Sequence, residues 1–242
     1  MKVKIILISI LFLIAIAIWT WPESQVKVIF CDVGQGDGTI VIQGNFQMLI
    51  DVGPENNKMV DCLSRHIPFW DKAIEAVIVS HADSDHVGGL NQVKKYYNVQ
   101  NIYTGNLAKN DVVKYKEIVF EVLSPAENWG NDNDNSVVGE LAYRNNKILF
   151  LGDVTSNVEQ KLVWRGVLRQ GSGTLILKIS HHGSAEATSE ELLQLLKPSE
   201  AVISVGKKNK FGHPTKLILD RLEKYKVKIR RTDIEGDILY IW

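Results

Sequence analysis

The stretch Val77-Ile78-Val79-Ser80-His81-Ala82-Asp83-Ser84-Asp85-His86-Val87-Gly88-Gly89 places an apolar strand directly before a turn with two histidines and two aspartates. Without a bound cation, four such side chains within one short turn would repel one another or lose solvation without compensation. A buried strand also fixes the loop that follows it, which is a common position for functional residues. The stretch therefore predicts a metal site at the end of a strand.

Two further stretches have the same design. Residues 148–153 form an apolar run that ends in an aspartate, and residues 175–183 form an apolar run that leads into two consecutive histidines. Five of the six histidines lie in these three loops or in the stretch 212–214. Capping aspartates and surface histidines would explain one such loop, but they poorly explain all of them together. The sixth histidine, His66, lies in a predicted helix without such neighbours, and we interpret it as structural.

Composition and charge restrict the class of protein. A chain of 242 residues, 45% hydrophobic and 23% charged, is typical of a folded protein with a large core, and it excludes disordered and fibrous proteins. The 28 basic and 28 acidic residues cancel, so nucleic acid or anionic lipid would need a local patch. Cys31 and Cys62 are too few and too far apart in sequence for a disulfide scaffold or a cysteine zinc site. We expect both to be buried as small hydrophobic residues.

The first 25 residues predict a membrane segment. Residues 5–21 are apolar apart from two polar positions, and two lysines precede them. As a helix, this run is about 26 Å long. Snorkelling of a lysine and anchoring by interfacial tryptophans extend it toward the thickness of the hydrocarbon core, ~30 Å. No small residues mark a cleavage point, so we expect an uncleaved anchor over residues 1–25 and an extracytoplasmic domain over residues 26–242, with a cleaved signal as the alternative.

Residues 26–242 alternate short apolar runs with helical patterns. Strands are predicted at 26–33, 38–42, 46–51, 75–80, 101–104, 117–123, 137–143, 147–151, 175–179, 201–205, 227–230 and 238–242. Helices are predicted at 59–67, 86–96, 156–168, 189–196 and 215–225. This order favours an α/β fold in which two sheets pack together and helices cover them.

On these residues the chain resembles the metallo-β-lactamase superfamily. The superfamily signature is an aspartate after an early strand, His-x-His-x-Asp-His, a later histidine, a bridging aspartate and a final histidine. Asp51, the turn 81–86, Asp153 and His181 follow that order. The resemblance covers nearly all of residues 26–242. It implies an αββα four-layer sandwich of two mixed sheets flanked by helices.

Finer details resemble the lactamase-like domain of ComEC-type DNA-uptake proteins. They lie in the stretches 30–37, 81–89, 135–136, 151–153 and 180–184. This resemblance implies DNA as a substrate and DNA-uptake machinery as a candidate partner. We expect the domain to stand alone behind one anchor, without the many-helix channel portion, which argues against a direct role in transport.

Two features depart from the superfamily pattern. Asp83 replaces the usual second histidine, and no histidine lies between His86 and His181. A site rich in oxygen ligands shifts metal preference from Zn toward harder ions such as Mn, and both ions remain open. By the resemblance, Asn135 and Ser136 occupy the position of the missing histidine; a solvated turn is the alternative.

The favoured hypothesis is a pair of divalent metal ions, Zn or Mn, that share Asp153. The assigned ligands are His81, Asp83 and Asp153 for one ion and Asp85, His86, Asp153 and His181 for the other. Spacing alone does not decide between His181 and His182 as the ligand.

Other residues receive roles around these ligands. Asp51 is expected to orient a ligand histidine rather than to bind metal. Asp85 is assigned as a catalytic residue as well as a ligand, and His182 or His213 is expected to donate a proton to the leaving oxygen. The pair Gly183-Ser184 offers hydrogen-bond donors to a phosphate, with a tight turn as the alternative.

The evidence for the substrate comes from residues 207–231, which contain ten lysines or arginines against two acidic residues. Lys207, Lys208 and Lys210 begin this stretch beside His213, so they are candidate contacts for a phosphodiester backbone. A solvated helix and edge strand is the alternative. Few aromatic residues interleave with the charges, so base-specific recognition is not predicted.

The sequence thus predicts a membrane-anchored, binuclear-metal hydrolase, a phosphodiesterase or nuclease that acts on DNA outside the cytoplasm. One alternative is hydrolysis of a small ester, lactam or phosphodiester by the same fold. A second alternative is a non-catalytic module that captures DNA, which a metal-free but DNA-binding protein would favour.

Overall fold

The computed structural model describes residues 25–105, 107–125 and 128–242, together with Ile10. The predicted anchor, residues 1–25, therefore lies outside the described residues except for Ile10 and Gln25. Within the described part of the chain, no helix combines the length and the apolar composition that crossing a bilayer requires.

One sheet is built mainly from the first half of the chain. Its strands are β1 (Val26–Phe30), β2 (Gly38–Gln43), β3 (Phe46–Val52), β4 (Ala73–Val79), β5 (Asn98–Thr104) and β13 (Ile238–Ile241). They are ordered β13-β1-β2-β3-β4-β5. Neighbours from β13 to β3 pair antiparallel, as in a meander, whereas β3, β4 and β5 run parallel.

The other sheet is built from the second half. Its strands are β6 (Val112–Tyr115), β7 (Ile118–Ser124), β8 (Val138–Tyr143), β9 (Asn146–Phe150), β10 (Thr174–Lys178), β11 (Glu200–Ile203) and β12 (Lys228–Arg231). The order is β12-β11-β10-β9-β8-β7-β6. Strands β9 to β12 are parallel, and β6 to β9 pair antiparallel. Both sheets are thus mixed.

Helices connect the parallel strands and cover the outer faces. They are α1 (Lys58–His66), α2 (Ser84–Val87), α3 (Leu90–Tyr96), α4 (Ser156–Trp164), α5 (Glu190–Leu196), α6 (Lys216–Lys224) and α7 (Thr232–Glu235), with a 3₁₀ turn at Ser180–Gly183.

Three groups of buried apolar side chains hold the layers together. The central group joins the inner faces of the two sheets; Phe30 of β1, for example, stacks on Phe150 of β9 at a ring-centroid distance of 5.9 Å. A second group packs α1 and α3 on the first sheet, and a third packs α4, α5 and α6 on the second. The predicted αββα sandwich of two mixed sheets is therefore confirmed.

The predicted elements differ from the observed ones in several places, and the short helix α7 is among those not predicted. The predicted helix 86–96 is split into α2 and α3 at the pair Gly88-Gly89, where the chain approaches the backbone of Glu55 and Val52 too closely for a side chain. The edge strand β6 was not predicted, because its four residues alternate only weakly in polarity.

The expectation for the cysteines is wrong in one respect. Both side chains are fully buried, as expected, but Cys31 and Cys62 are joined by a disulfide, with their Cα atoms 6.0 Å apart. The bond ties the end of β1 to the middle of α1 across a sequence separation of 31 residues. The folded chain brings together two thiols that sequence distance separates, because α1 packs across the first sheet.

Candidate metal centre

Parallel strands in both sheets deliver the polar side chains to one region. Asp51 lies near the end of β3, and His81 follows β4 in the same sheet. In the other sheet, Asp153 follows β9, and the pair His181-His182 follows β10. Because parallel strands end at the same edge of a sheet, these loops meet where the two sheets face each other.

The backbone at this edge adopts conformations that are uncommon for residues with side chains. Asp51, His181 and His182 have φ angles of 56°, 47° and 53°. Left-handed conformations at residues other than glycine store local strain and are concentrated at functional sites. Here they turn two consecutive imidazoles into the space between the sheets.

One group of candidate ligands consists of His81, His86 and Asp153, all buried, with one donor atom from each within 4.8 Å of the others. The Nε2 atom of His86 lies 3.3 Å from Oδ1 of Asp153, and the rings of His81 and His86 are 4.2 Å apart. Burial, assisted by the neighbouring His86, lowers the pKa of His81 below 6.5. His81 is therefore neutral at pH 7, as a metal ligand must be.

A second group contains Asp85, His86 and His182, again within 4.8 Å. The Nε2 atom of His182 lies 3.2 Å from Oδ2 of Asp85 and 3.7 Å from Oδ2 of Asp153. Asp153 thus faces both groups, with one carboxylate oxygen toward His86 and the other toward His182. Burial raises the pKa of Asp85, but His182 and His86 outweigh it and hold this pKa below 3.8.

Donor atoms in both groups lack hydrogen-bond partners. Among the buried polar atoms without such a partner are Nε2 of His81, His86 and His182 and Oδ1 of Asp153. Buried polar atoms are almost always hydrogen-bonded, so four unpaired ones converging on one space require an explanation. Imidazole nitrogens and carboxylate oxygens are ligands for Zn and Mn, so the residues present fit the divalent ions that the sequence predicts.

Asp51 and Ser80 hold the ligand histidines from behind. Oδ2 of Asp51 lies 2.9 Å from Nδ1 of His86, which leaves Nε2 of that ring facing Asp153. The same carboxylate accepts hydrogen bonds from the backbone N–H and the hydroxyl of Ser80, at 2.7 and 2.8 Å. Such hydrogen bonds fix the tautomer and the orientation of a ligand histidine. Asp51 therefore lies behind His86, a candidate ligand.

Two functional residues were not identified from the sequence. Oδ1 of Asp37 lies 3.3 Å from Nδ1 of His182, and its other oxygen lies 2.5 Å from Nζ of Lys178. Lys178 is fully buried at the end of β10 and also donates to the carbonyl of Ile179. Burial raises the pKa of Asp37, but Lys178 and His182 lower it well below 3.8. The signal in the sequence was a single lysine inside the apolar run of residues 175–179.

Asp37 is held in place by the glycine-rich loop before β2. Its backbone N–H donates to the carbonyl of Asp85, 3.1 Å away, which fastens this loop to the turn that carries the candidate ligands. Gly36, at φ 140°, lies against that carbonyl with no space for a Cβ atom. The glycine is therefore required by the close approach of two backbones.

The surrounding carboxylates favour the charged form of two histidines. Burial lowers the pKa of His86, but Asp153 and Asp51 raise it well above 6.5. Burial also lowers the pKa of His182, but Asp153 and Asp37 raise it to about 9. Burial raises the pKa of Asp153, yet His86 and His182 hold it well below 3.8. A divalent cation would replace these protons, so binding it releases them.

Asp83, His181 and His213 lie at the rim. Oδ2 of Asp83 is 3.5 Å from Nε2 of His81, but its side chain is 47% exposed. The side chain of His181 is 30% exposed, and its Nε2 lies 3.8 Å from Asp153. The ring of His213 is 5.9 Å from that of His181. Partial burial, together with His181 and His182, lowers the pKa of His213 below 6.5.

The loop that carries Asn135 and Ser136 lies beside the centre and makes several hydrogen bonds. The hydroxyl of Ser136, fully buried, accepts from the backbone N–H of Asp153 at 3.2 Å. Asn135 accepts from the backbone N–H of Trp129, and Asp134 accepts from Thr155. Ser136 therefore positions the backbone of Asp153, whereas Asn135 shapes the loop.

The candidate substrate contacts lie on the same side. Gly183, at φ 86°, packs against Pro214 and accepts from the backbone N–H of Thr215, so this pair of loops is tied together. Ser184, mostly buried, donates its backbone N–H to the carbonyl of His181. This hydrogen bond closes the turn that contains the two histidines. The lysines at 207, 208 and 210 are exposed on the loop that leads to His213.

A groove of about 890 Å³ opens beside His81. Its walls are largely apolar and include Val87, Leu90 and Leu107, with Asn135 and Asp132 contributing polar atoms. His66, by contrast, lies away from the centre and contacts Asp237 at 2.9 Å, in agreement with a structural role.

Comparison with known proteins identifies the domain. Residues 31–121 match the sequence model of the Metallo-beta-lactamase superfamily. The fold is similar to the crystal structure of the metallo-beta-lactamase fold protein YhfI from Bacillus subtilis, with a TM-score of 0.61 at 10% identity over 91% of this chain and all of that one. The predicted resemblance to the metallo-β-lactamase superfamily is therefore confirmed, by the sequence match over residues 31–121 and by the similar fold.

Two curated relatives agree with the finer resemblance. ComE operon protein 3 of Bacillus subtilis (strain 168) is 28% identical over 96% of this chain and 35% of its own length. Competence protein ComA of Neisseria gonorrhoeae is 28% identical over 90% of this chain and 33% of its own length. The chain thus spans about a third of these relatives. The similarity to ComEC-type competence proteins is confirmed.

Proposed function

We propose that this chain, which carries a metallo-β-lactamase superfamily domain, is a metal-dependent phosphodiesterase that cleaves DNA outside the cytoplasm. The observation that carries the proposal is the convergence of unpaired buried atoms from His81, His86, His182 and Asp153 on one space. A centre of this composition is built to hold divalent cations, and basic side chains lie beside it.

The proposed ligand sets are those predicted from the sequence, and the two groups of neighbouring donor atoms support them. His81 and Asp153, with Asp83 at the rim, would hold one ion. Asp85, His86 and Asp153 would hold the other, completed by either His181 or His182. Support for His182 comes from its burial, at 1% exposed, and from its 3.2 Å distance to Asp85.

When bound, two such ions lower the pKa of water and neutralise charge that develops on a phosphoryl group. The protein side chains have separate tasks. Asp51 and Ser80 hold the ring of His86. The carbonyl of Ser204, 2.9 Å from Nδ1, holds the ring of His182, with Asp37 and Lys178 beside it. His213 at the rim, or whichever of His181 and His182 is not a ligand, would transfer a proton to the leaving oxygen.

Charge at the rim supports DNA as the substrate. Lys207, Lys208 and Lys210 are exposed on the loop that carries His213, so a phosphodiester chain lying along this loop would reach the centre. The names of the curated relatives point to competence, which makes DNA-uptake machinery a candidate partner.

The proposed location combines two observations. Residues 5–21 have the composition of a membrane segment, and lysines precede them. The Cys31–Cys62 disulfide is the kind of bond that persists in oxidising compartments outside the cytoplasm. We propose that residues 1–25 anchor the chain in the membrane and that the catalytic domain faces outward.

The second candidate is hydrolysis of a small ester, lactam or phosphodiester. The groove beside His81 favours it, because an apolar cavity of about 890 Å³ is within the size range of small-molecule sites. A small substrate could place its apolar part there and its reacting bond at the centre.

The test is cleavage of DNA by the full-length chain in detergent, with single-stranded DNA, double-stranded DNA and bis-p-nitrophenyl phosphate as separate substrates. Each substrate is incubated with Mn, Mg and Zn in turn. Asp153→Ala is the variant expected to be inactive, and His66→Ala is its matched control. The proposal predicts metal-dependent cleavage of DNA that Asp153→Ala abolishes and His66→Ala retains. Cleavage of only the small ester would favour the second candidate, and DNA binding without any cleavage would favour a capture module.

A further inference from the structure

An exposed aromatic side chain lies beside the candidate centre. Phe211 lies on the loop between β11 and α6, and its residue is 56% exposed. Its ring stacks on that of His213, at a centroid distance of 5.9 Å and an interplanar angle of 19°. His213 in turn lies 5.9 Å from His181 at the rim of the centre. Phe211 is therefore an open aromatic surface two ring contacts away from the candidate ligands.

The loop presents this ring in a fixed position. Asn209 donates from Nδ2 to the carbonyls of Gly206 and His213, at 3.0 and 2.7 Å. Its Oδ1 accepts from the backbone N–H groups of Phe211 and His213, at 3.2 and 3.0 Å. Because one side chain closes the loop with four hydrogen bonds, the ring is preorganised, and a ligand that stacks on it loses little binding energy to ordering.

The charge around the ring has one sign. Residues 206–214 contain three lysines and no acidic residue. Nζ of Lys210 lies 5.3 Å from the centroid of the Phe211 ring, and Lys207 and Lys208 are exposed on the same loop. An aromatic surface surrounded by cations matches a nucleotide, which offers a planar base and an anionic phosphate.

We propose that Phe211 is a stacking platform for one unpaired nucleobase, which makes the site selective for single-stranded over double-stranded DNA. The inference rests on the proposed phosphodiesterase function and specifies its substrate. In a duplex each base is already stacked and paired, so its face is not available to a side chain without local opening. Stacking uses the π face that every base has, so the platform is selective for strandedness and not for sequence.

The test compares the wild-type chain with Phe211→Ala, Phe211→Trp and the control Phe69→Ala. Phe69 is also an exposed aromatic residue, 81% exposed, but it precedes β4, whereas the centre follows that strand. Stacking contributes about 5- to 150-fold per base. Phe211→Ala should therefore raise KM for single-stranded DNA by about that factor and change KM for a duplex much less. Phe211→Trp should keep KM for single-stranded DNA near the wild-type value, because Trp also stacks, and Phe69→Ala should leave this KM unchanged.

A second arm uses no protein variant. A set of single-stranded oligonucleotides carries one abasic residue at successive positions from the cleaved bond. At one position, the abasic residue should weaken binding by the wild-type chain as much as Phe211→Ala weakens binding of the intact oligonucleotide. At that position, the variant and the abasic residue together should lower the affinity no more than either change alone. The platform would be overturned if the losses of affinity from Phe211→Ala and from the abasic residue multiplied at every position. It would also be overturned if Phe211→Ala weakened the binding of single-stranded and duplex DNA equally.

Binding is measured by fluorescence anisotropy of labelled oligonucleotides as well as by cleavage. If the wild-type chain cleaves no DNA with any metal, the proposed phosphodiesterase fails, while the abasic comparison by anisotropy still decides the platform. If the chain cleaves DNA but neither Phe211→Ala nor any abasic position matters, the platform alone fails.

Discussion

The ammonium group of Lys178 lies 2.5 Å from the carboxylate of Asp37, and both side chains are buried beneath the candidate metal centre. The other oxygen of that carboxylate faces Nδ1 of His182. This pair places an ammonium group directly behind a cluster of acidic side chains and compensates the buried charge of Asp37. The imidazole of His182 beside it is held by the carbonyl of Ser204, 2.9 Å from Nδ1.

Removing one member of this pair should be strongly destabilising. Lys178→Met keeps the length of the side chain but leaves a buried carboxylate uncompensated, which typically lowers the free energy of unfolding by about 3–5 kcal/mol. Urea unfolding at pH 7 measures this. Lys147→Met is the matched control, because its ion pair with Glu140 is partly exposed and should contribute about 1 kcal/mol or less. The double variant Asp37→Asn with Lys178→Met should lose less than the sum of the single variants, and strict additivity would show that the pair does not act as a unit.

The disulfide should account for a large part of the stability. Cys31 and Cys62 enclose a loop with a sequence separation of 31 residues, for which loop closure predicts a contribution of about 3–4 kcal/mol. Cys31→Ala combined with Cys62→Ala should lower the free energy of unfolding by that amount. Reduction of the wild-type chain should have the same effect and should leave the double variant unaffected. A reductant effect of equal size in the double variant would contradict this account.

Stability in acid should depend on Asp237. Its carboxylate accepts from Arg65 and from the backbone N–H of Asp32 and contacts His66. Burial raises the pKa of Asp237, but His66, the Asp32 backbone and Arg65 lower it from 3.8 to about 2. A carboxyl group whose pKa is depressed in the folded state stabilises the fold fully above the pKa of the unfolded chain. That contribution disappears as the pH falls through the folded pKa.

We therefore expect the difference in unfolding free energy between wild type and Asp237→Asn to be constant from pH 7 to about pH 5 and to shrink from about pH 4 toward pH 2. Urea titrations at several pH values measure it. A difference that stays constant down to pH 2 would show that the charge of Asp237 is not what stabilises the contact.

The rim histidines should affect the leaving group more than metal binding. His213→Ala should keep the metal content and slow cleavage of DNA by about 10²- to 10⁴-fold, which is the usual contribution of proton transfer. The defect should be smaller on bis-p-nitrophenyl phosphate, whose leaving group needs little protonation. Equal losses on both substrates would indicate positioning instead of proton transfer. His182→Ala distinguishes the remaining roles, because it should lose metal if His182 is a ligand and retain it if His182 is the proton donor.

Much of the fold and part of the centre could be predicted from the sequence. Apolar runs ending in His81, Asp153 and His181-His182 predicted both the strands and the loops that carry the site, because strand periodicity and ligand chemistry are local properties. Asp37 and Lys178 could not be predicted in this way, since their contact joins β10 to a loop beside β2 and depends on how the two sheets face each other. The disulfide was missed for the same reason.

Sequence spacing also does not show which of the two adjacent histidines, His181 or His182, binds metal. His181 and His182 differ in burial because both adopt left-handed backbone conformations, which send consecutive side chains in directions that neither helix nor strand periodicity describes. Phe211 shows the opposite case. The sequence showed an isolated aromatic residue among lysines, and only its position above His213 connects it with the centre.

The central claim is that the carboxylate of Asp153 joins two metal ions in a centre that cleaves phosphodiesters. The most direct measurement is metal content by mass spectrometry, together with cleavage of single-stranded DNA, for chelator-treated wild type and Asp153→Ala after reconstitution with Mn or Zn. The account predicts up to two ions per wild-type chain, with activity that rises as the ions bind, and neither ions nor activity in Asp153→Ala. Two retained ions in the variant, or DNA cleavage by the chelated wild-type chain, would contradict it.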